Sequence, residues 1–99
     1  MQSHYDEVFT REMGCTLQEW HGWLPQAIGD NRWQLNANGA EVHFGTGDLK
    51  LEWQEGEPRV IALARIPRLI VRFTFSGLDA AQRYSFMRRF DLYMQRGGG

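Results

Sequence analysis

Two hydrophobic periods alternate along the chain, and the switches between them divide it into helical, stranded and again helical parts. Residues 4–13 place Tyr5, Val8, Phe9 and Met13 at helical spacing, with Ser3 as a cap and Gly14 as a stop, and so predict a first short helix. A second helix opens on a capping box. Thr16 stands three residues before Glu19, so hydroxyl and carboxylate can each satisfy an orphan backbone N–H. Leu17, Trp20, Leu24, Ala27 and Ile28 then share one stripe, with Trp23 at its edge. Pro25 removes a donor inside this helix and predicts a kink or a weak last turn before Gly29-Asp30-Asn31.

Period-two alternation takes over at Trp33. Trp33, Leu35 and Ala37 alternate with polar neighbours. Val42 and Phe44 follow after Asn36-Ala37-Asn38-Gly39, which supplies a turn because Asn-Gly tolerates positive φ. Leu49, Leu51 and Trp53 make the cleanest alternation in the chain. Residues 59–66 are apolar on both faces, which predicts a further sheet strand, and Pro67 demands an edge, a bulge or a bend after it. Leu69, Val71, Phe73 and Phe75 alternate with Ile70, Arg72 and Thr74. Asp79 and Gln82 form a second capping box, and Phe86, Met87, Phe90, Tyr93 and Met94 fall in one arc of a final helix. Arg88, Arg89 and Arg96 point away from that arc.

Short turns between consecutive strands require an antiparallel meander. The expected fold is α+β in two layers: a sheet of four or five antiparallel strands, with N-terminal helices and a C-terminal helix packed on one face. Gln34, His43, Lys50, Glu52, Gln54, Arg72 and Thr74 line the opposite, wet face, where Val60, Ala62, Ala64 and Ile70 add an apolar patch. Nothing divides the 99 residues, which are read as one domain with residues 1–3 and 97–99 frayed.

Composition narrows the function by exclusion. At 42% hydrophobic and 13% aromatic residues, the chain can fill a core. Its lone cysteine, Cys15, rules out a disulfide framework and a cysteine-based zinc finger. The longest apolar run, Val60 to Ala64, is too short to cross a bilayer, and MQSHYDEVFT has no secretory pattern. These features predict a soluble cytoplasmic protein with no membrane partner.

No chemistry-bearing constellation stands out. His4, His21 and His43 lack metal-ligand spacing, and Cys15 precedes a helix cap without a base beside it, so no catalytic residue, metal or cofactor is expected. Trp20, His21 and Trp23 are the residues that would form an aromatic pocket if one exists. Gly45-Thr46-Gly47 is sufficient as a hairpin turn, because no helix follows it to bind phosphate. Glu52, Glu55 and Glu57 flank a turn, where solvated acids are the norm. The terminal Gly97-Gly98-Gly99 invites comparison with carrier proteins that thread a di-glycine tail, but here the tail follows a helix.

The net charge of −1 hides an asymmetry. Residues 1–50 hold three basic and seven acidic residues, whereas residues 51–99 hold eight arginines and five acids. Arg72, Arg88, Arg89 and Arg96 could form a basic binding surface. The segment from Ile66-Pro67-Arg68-Leu69 through Phe86-Met87-Arg88-Arg89-Phe90 to Arg96 resembles a family of small uncharacterised bacterial proteins, a resemblance that implies no activity. The expected function is a non-catalytic protein-interaction or adaptor domain, with a protein partner or a homodimer. The alternative is RNA binding through the arginine-rich face of the last helix.

Overall fold

A computed structural model describes residues 4–96, with the side chain of Arg96 left out. The frayed ends expected at 1–3 and 97–99, the Ser3 cap and the glycine tail lie outside the described residues. Five strands form one antiparallel sheet: β1 (Val8–Met13), β2 (Arg32–Asn36), β3 (Gly39–His43), β4 (Asp48–Glu55) and a last strand, here β7 (Leu69–Ser76), in the order β1-β7-β4-β3-β2. Two short strands, β5 (Arg59–Ile61) and β6 (Ala64–Ile66), pair only with each other. Helices α1 (Leu17–Ile28) and α2 (Ala80–Arg96) cover one face of the main sheet. The chain is thus α+β in two layers, with β2, β3, β4 and β7 as the meander.

Alternation places the core. Leu49, Leu51 and Trp53 stand opposite Phe75, Phe73 and Val71 in register and are buried with them. Ala40 and Val42 extend this face on β3. From above, α1 lowers Trp20 edge-on against Trp53 and Phe90, while α2 lowers Phe90 onto Phe73 and Phe86 onto Phe75. Both capping boxes form. Thr16 Oγ1 accepts from the Glu19 N–H while Glu19 accepts from the Thr16 N–H, and Asp79 and Gln82 do the same at α2. Pro25 stays within α1, which ends at Gly29 in a left-handed conformation (φ 75°).

Three expectations are corrected. The helix predicted for residues 4–13 is strand β1, so the described residues hold one N-terminal helix rather than two. Period two is disguised because Arg11, a charged residue, occupies an inward position between Phe9 and Met13. Residues 59–66 are not a strand of the main sheet but a separate hairpin. Paired prolines explain the break. The β4–β7 ladder continues to a bond of 2.8 Å from the Gly56 N–H to the Arg68 carbonyl. It then meets Pro58 on one side and Pro67 on the other, neither with an N–H to donate. Finally, the turn at Asn36–Gly39 forms without positive φ at Asn38 or Gly39. Glycine serves close approach there: a Cβ at Gly39 would collide with the Leu51 carbonyl.

Candidate interaction surfaces

The β5–β6 hairpin is an arm without cover. Val60 (65% exposed), Ile61 (56%), Leu63 (103%) and Ile66 (38%) crowd into one short segment. The other exposed large apolar residues among those described, Val8, Leu35 and Leu92, stand singly on separate elements, an ordinary scatter that needs no partner to explain it. The arm turns through Ala62 at φ 54°, the single non-glycine residue at positive φ among those described. An alanine there carries a steric cost that glycine would avoid. At its root, Glu12 of β1 takes an ion pair from Arg59 (3.1 Å) and another from Arg68 (3.4 Å), and Ile66 lies beside Gly14. Two strands alone are marginal in water, so this clamp and the adjoining β4–β7 ladder hold the arm out. Val60, Ala62 and Ala64 belong to it, and of the predicted sheet-face patch only Ile70 remains on the sheet, half-buried.

A cleft of about 640 Å³ opens at the same end of the sheet. It forms because β3 stops at Gly39 opposite Glu52, while β4 runs on to Glu55. Leu17, Trp53 and Ile70 supply apolar wall, and His21, Glu52, Glu55 and Arg72 supply charge or polarity. Arg72 sits between Thr10 and Glu52 in the cross-strand register. Two of the three acids grouped in the sequence, Glu52 and Glu55, therefore line a concave site.

The predicted aromatic trio does not assemble. Trp20 is fully buried in the core, and its indole N–H has no hydrogen-bond partner there. His21 is exposed and sets its ring edge-on to Trp53 at 5.6 Å in the cleft wall. Trp23 is half-buried and packs against the core from outside. The predicted basic surface is divided as well. Arg72 lies on the open face of the sheet, whereas Arg88 and Arg89 lie on α2 in the opposite layer. Arg89 is engaged: it donates to the Gln26 carbonyl (3.2 Å) and stacks on the Tyr93 ring at 4.6 Å. Helix α1 has no basic residue in its last turn, so Arg89 supplies the positive charge that its C-terminus favours. The side chain of Arg96 lies outside the described residues.

Two arginines that the pattern does not single out carry structural weight. Arg83 is buried in the first turns of α2, where Nε donates to the Tyr5 carbonyl (2.9 Å) and Nη1 to the Leu78 carbonyl (2.8 Å). Its position three residues before Phe86 and four before Met87 puts it on the buried arc, a signal visible in the sequence. Arg11 forks onto Asp91 of α2, which also accepts from the Tyr5 hydroxyl (2.7 Å). Burial tends to lower the Arg11 pKa, but the hydrogen bond and charge of Asp91 outweigh it and hold the guanidinium above its ordinary value. Burial, then the bond to Asp91, holds the Tyr5 hydroxyl above its ordinary value. Cys15 is buried, and desolvation followed by the charge of Glu19 pushes its thiol up to about 11, the reverse of what a nucleophile needs.

Among the described residues no group of three His, Cys, Asp or Glu is arranged to hold a metal ion. No described helix is long and apolar enough to cross a membrane. No family model, curated protein or solved structure matches the chain.

Proposed function

We propose that this chain is a non-catalytic protein-interaction module of the bacterial cytoplasm and that it works through the β5–β6 arm. The observation that carries this reading is the clustering of exposed Val60, Ile61, Leu63 and Ile66 on a hairpin that pairs with no strand of the main sheet. Burying one such side chain is worth about 1.5–3 kcal/mol. A second chain laid over the arm gains most of that for several residues at once, because the arm is already held in place and little ordering entropy remains to be lost. The buried, deprotonation-resistant Cys15 and the dispersal of the Trp20, His21 and Trp23 group argue against a nucleophilic or acid–base centre at those positions. Against the RNA alternative on the last helix, Arg89 is occupied by the Gln26 carbonyl and the Tyr93 ring, and Arg72 lies in the opposite layer, where it cannot extend a strip of phosphate contacts from Arg88.

Affinity capture by wild type and by Leu63→Asp, each with and without nuclease, tests the reading. The expected result is protein captured by wild type, retained after nuclease treatment and lost with Leu63→Asp. Material that disappears with nuclease, or capture indifferent to Leu63, overturns it.

A further inference from the structure

We propose that the arm's partner is a second copy of the chain, with each arm seated in the other copy's cleft. This rests on the protein-interaction reading and names the partner. The two surfaces are complementary in kind. The arm is apolar at Val60, Ile61 and Leu63 and carries Arg65, which makes no ion pair with a described residue. No acid occurs between Glu57 and Asp79, so the arm is purely cationic. The cleft offers apolar wall at Leu17, Trp53 and Ile70, with Glu52 and Glu55 beside it. Arg72 is the cross-strand neighbour of Glu52, whereas Glu55 stands opposite Leu69 and forms no ion pair with a described residue. Glu55 is therefore the acid for Arg65.

The complementary surfaces do not meet within one chain. Glu12 holds Arg59 and Arg68 at the root, Ile66 lies by Gly14, and no residue of the arm lines the cleft. Donor and acceptor surfaces at the same end of one chain, kept apart by the fold, are joined twice when two copies meet about a two-fold axis. Such an isologous contact closes on itself instead of growing into a filament.

Sedimentation equilibrium of the full chain reads this directly. Wild type is expected at twice the 11.5 kDa chain mass in the micromolar range, dissociating on dilution. Leu63→Ser, at a fully exposed position, weakens the dimer by more than about tenfold, because one apolar tip is lost from each of two arms. Arg65→Glu and Glu55→Arg each give monomers, since like charges then face each other. Mixing these two variants restores a dimer, because each of the two arm–cleft contacts in the mixed pair again joins opposite charges. A wild type that stays monomeric overturns the proposal, as does a mixture that stays monomeric or a charge reversal that leaves the dimer intact. If wild type is monomeric but capture still depends on Leu63, the second-copy partner falls and the interaction module stands. If capture also ignores Leu63, both fall.

Discussion

Strands β4 and β7 and the arm beyond them are one hairpin with two fates. Within the sheet, pairs run from Asp48 opposite Ser76 to Glu55 opposite Leu69, and the inward residues of both strands are buried under two helices. Past Pro58 and Pro67 the same two chain segments pair again, Arg59 with Ile66 through Ile61 with Ala64, and every residue from 59 to 66 is exposed. Apolar content does not separate the halves; cover does. In the sheet, large side chains meet α1 and α2 and stabilise the fold. In the arm, Val60, Ile61 and Leu63 face mostly water, so their contribution is available to a second molecule.

That contrast predicts opposite mutational behaviour for two large apolar residues. Phe73→Ala removes a ring that stacks on Phe9 at 4.7 Å and meets Phe90 edge-on. It is expected to cost about 3–5 kcal/mol in urea unfolding. Leu63→Ser, tested below the dimer's dissociation range, is expected to change stability by less than about 0.5 kcal/mol. A large loss at Leu63 would make the arm part of the folding core and remove the comparison.

A smaller effect is expected at the seam between β1 and α2. Arg11 and Asp91 are each only slightly exposed (22% and 23%), so removing one partner leaves the other poorly solvated. Asp91→Asn is expected to destabilise the protein by about 2 kcal/mol, discounted for partial exposure, while leaving dimer mass unchanged at concentrations where it stays folded. Replacing both residues with leucine is expected to recover much of the loss. If Asp91→Asn also dissolved the dimer, the arm would be coupled to this network through Glu12, the neighbour of Arg11 that clamps the arm's root.

What can be read from the chain follows the same division between covered and uncovered parts. Leu49, Leu51 and Trp53 on β4, and Leu69 to Phe75 on β7, alternate cleanly because one face is buried and the other wet, and both capping boxes are local in sequence. Strand β1 is illegible because Arg11 faces inward, and only its distant partner Asp91 makes that tolerable. The arm misleads because a run apolar on both faces looks the same whether it is buried twice or not at all. The cleft depends on where β3 ends relative to β4, a matter of register that no single segment encodes. Arg72 and Arg88 look like one surface in the sequence, and the layering separates them.

At the tip, the strain itself is testable. Ala62 sits at φ 54°. That conformation is disfavoured by about 1–2 kcal/mol relative to a right-handed one, a cost that glycine does not bear. Ala62→Gly is expected to raise stability by about 1 kcal/mol or less, because glycine's greater freedom in the unfolded chain offsets part of the gain. The dimer should weaken slightly if the rigid alanine turn presents Leu63, and thermal unfolding together with sedimentation separates the two effects.

The gentlest test leaves the fold intact and compares two thiols. With its pKa raised to about 11 by burial and then by Glu19, Cys15 stays almost wholly protonated in neutral buffer. It should react with a disulfide reagent far more slowly than a free thiol, because only the thiolate attacks. Leu63→Cys in a Cys15→Ala background places a thiol on the uncovered tip and should react at the free-thiol rate in dilute solution, then slow as the dimer forms. The linkage has a definite sign. Native Cys15 keeps its proton where the unfolded chain, with a thiol near 9.0, has lost it, so stability falls as pH climbs from about 9 through about 11. The raised Tyr5 hydroxyl acts in the same direction. Removing Cys15 should flatten part of that alkaline decline, whereas a cysteine at position 63, solvated in both states of the monomer, should add nothing to it. An equal alkaline response from both thiols would mean that the arm is as covered as the core.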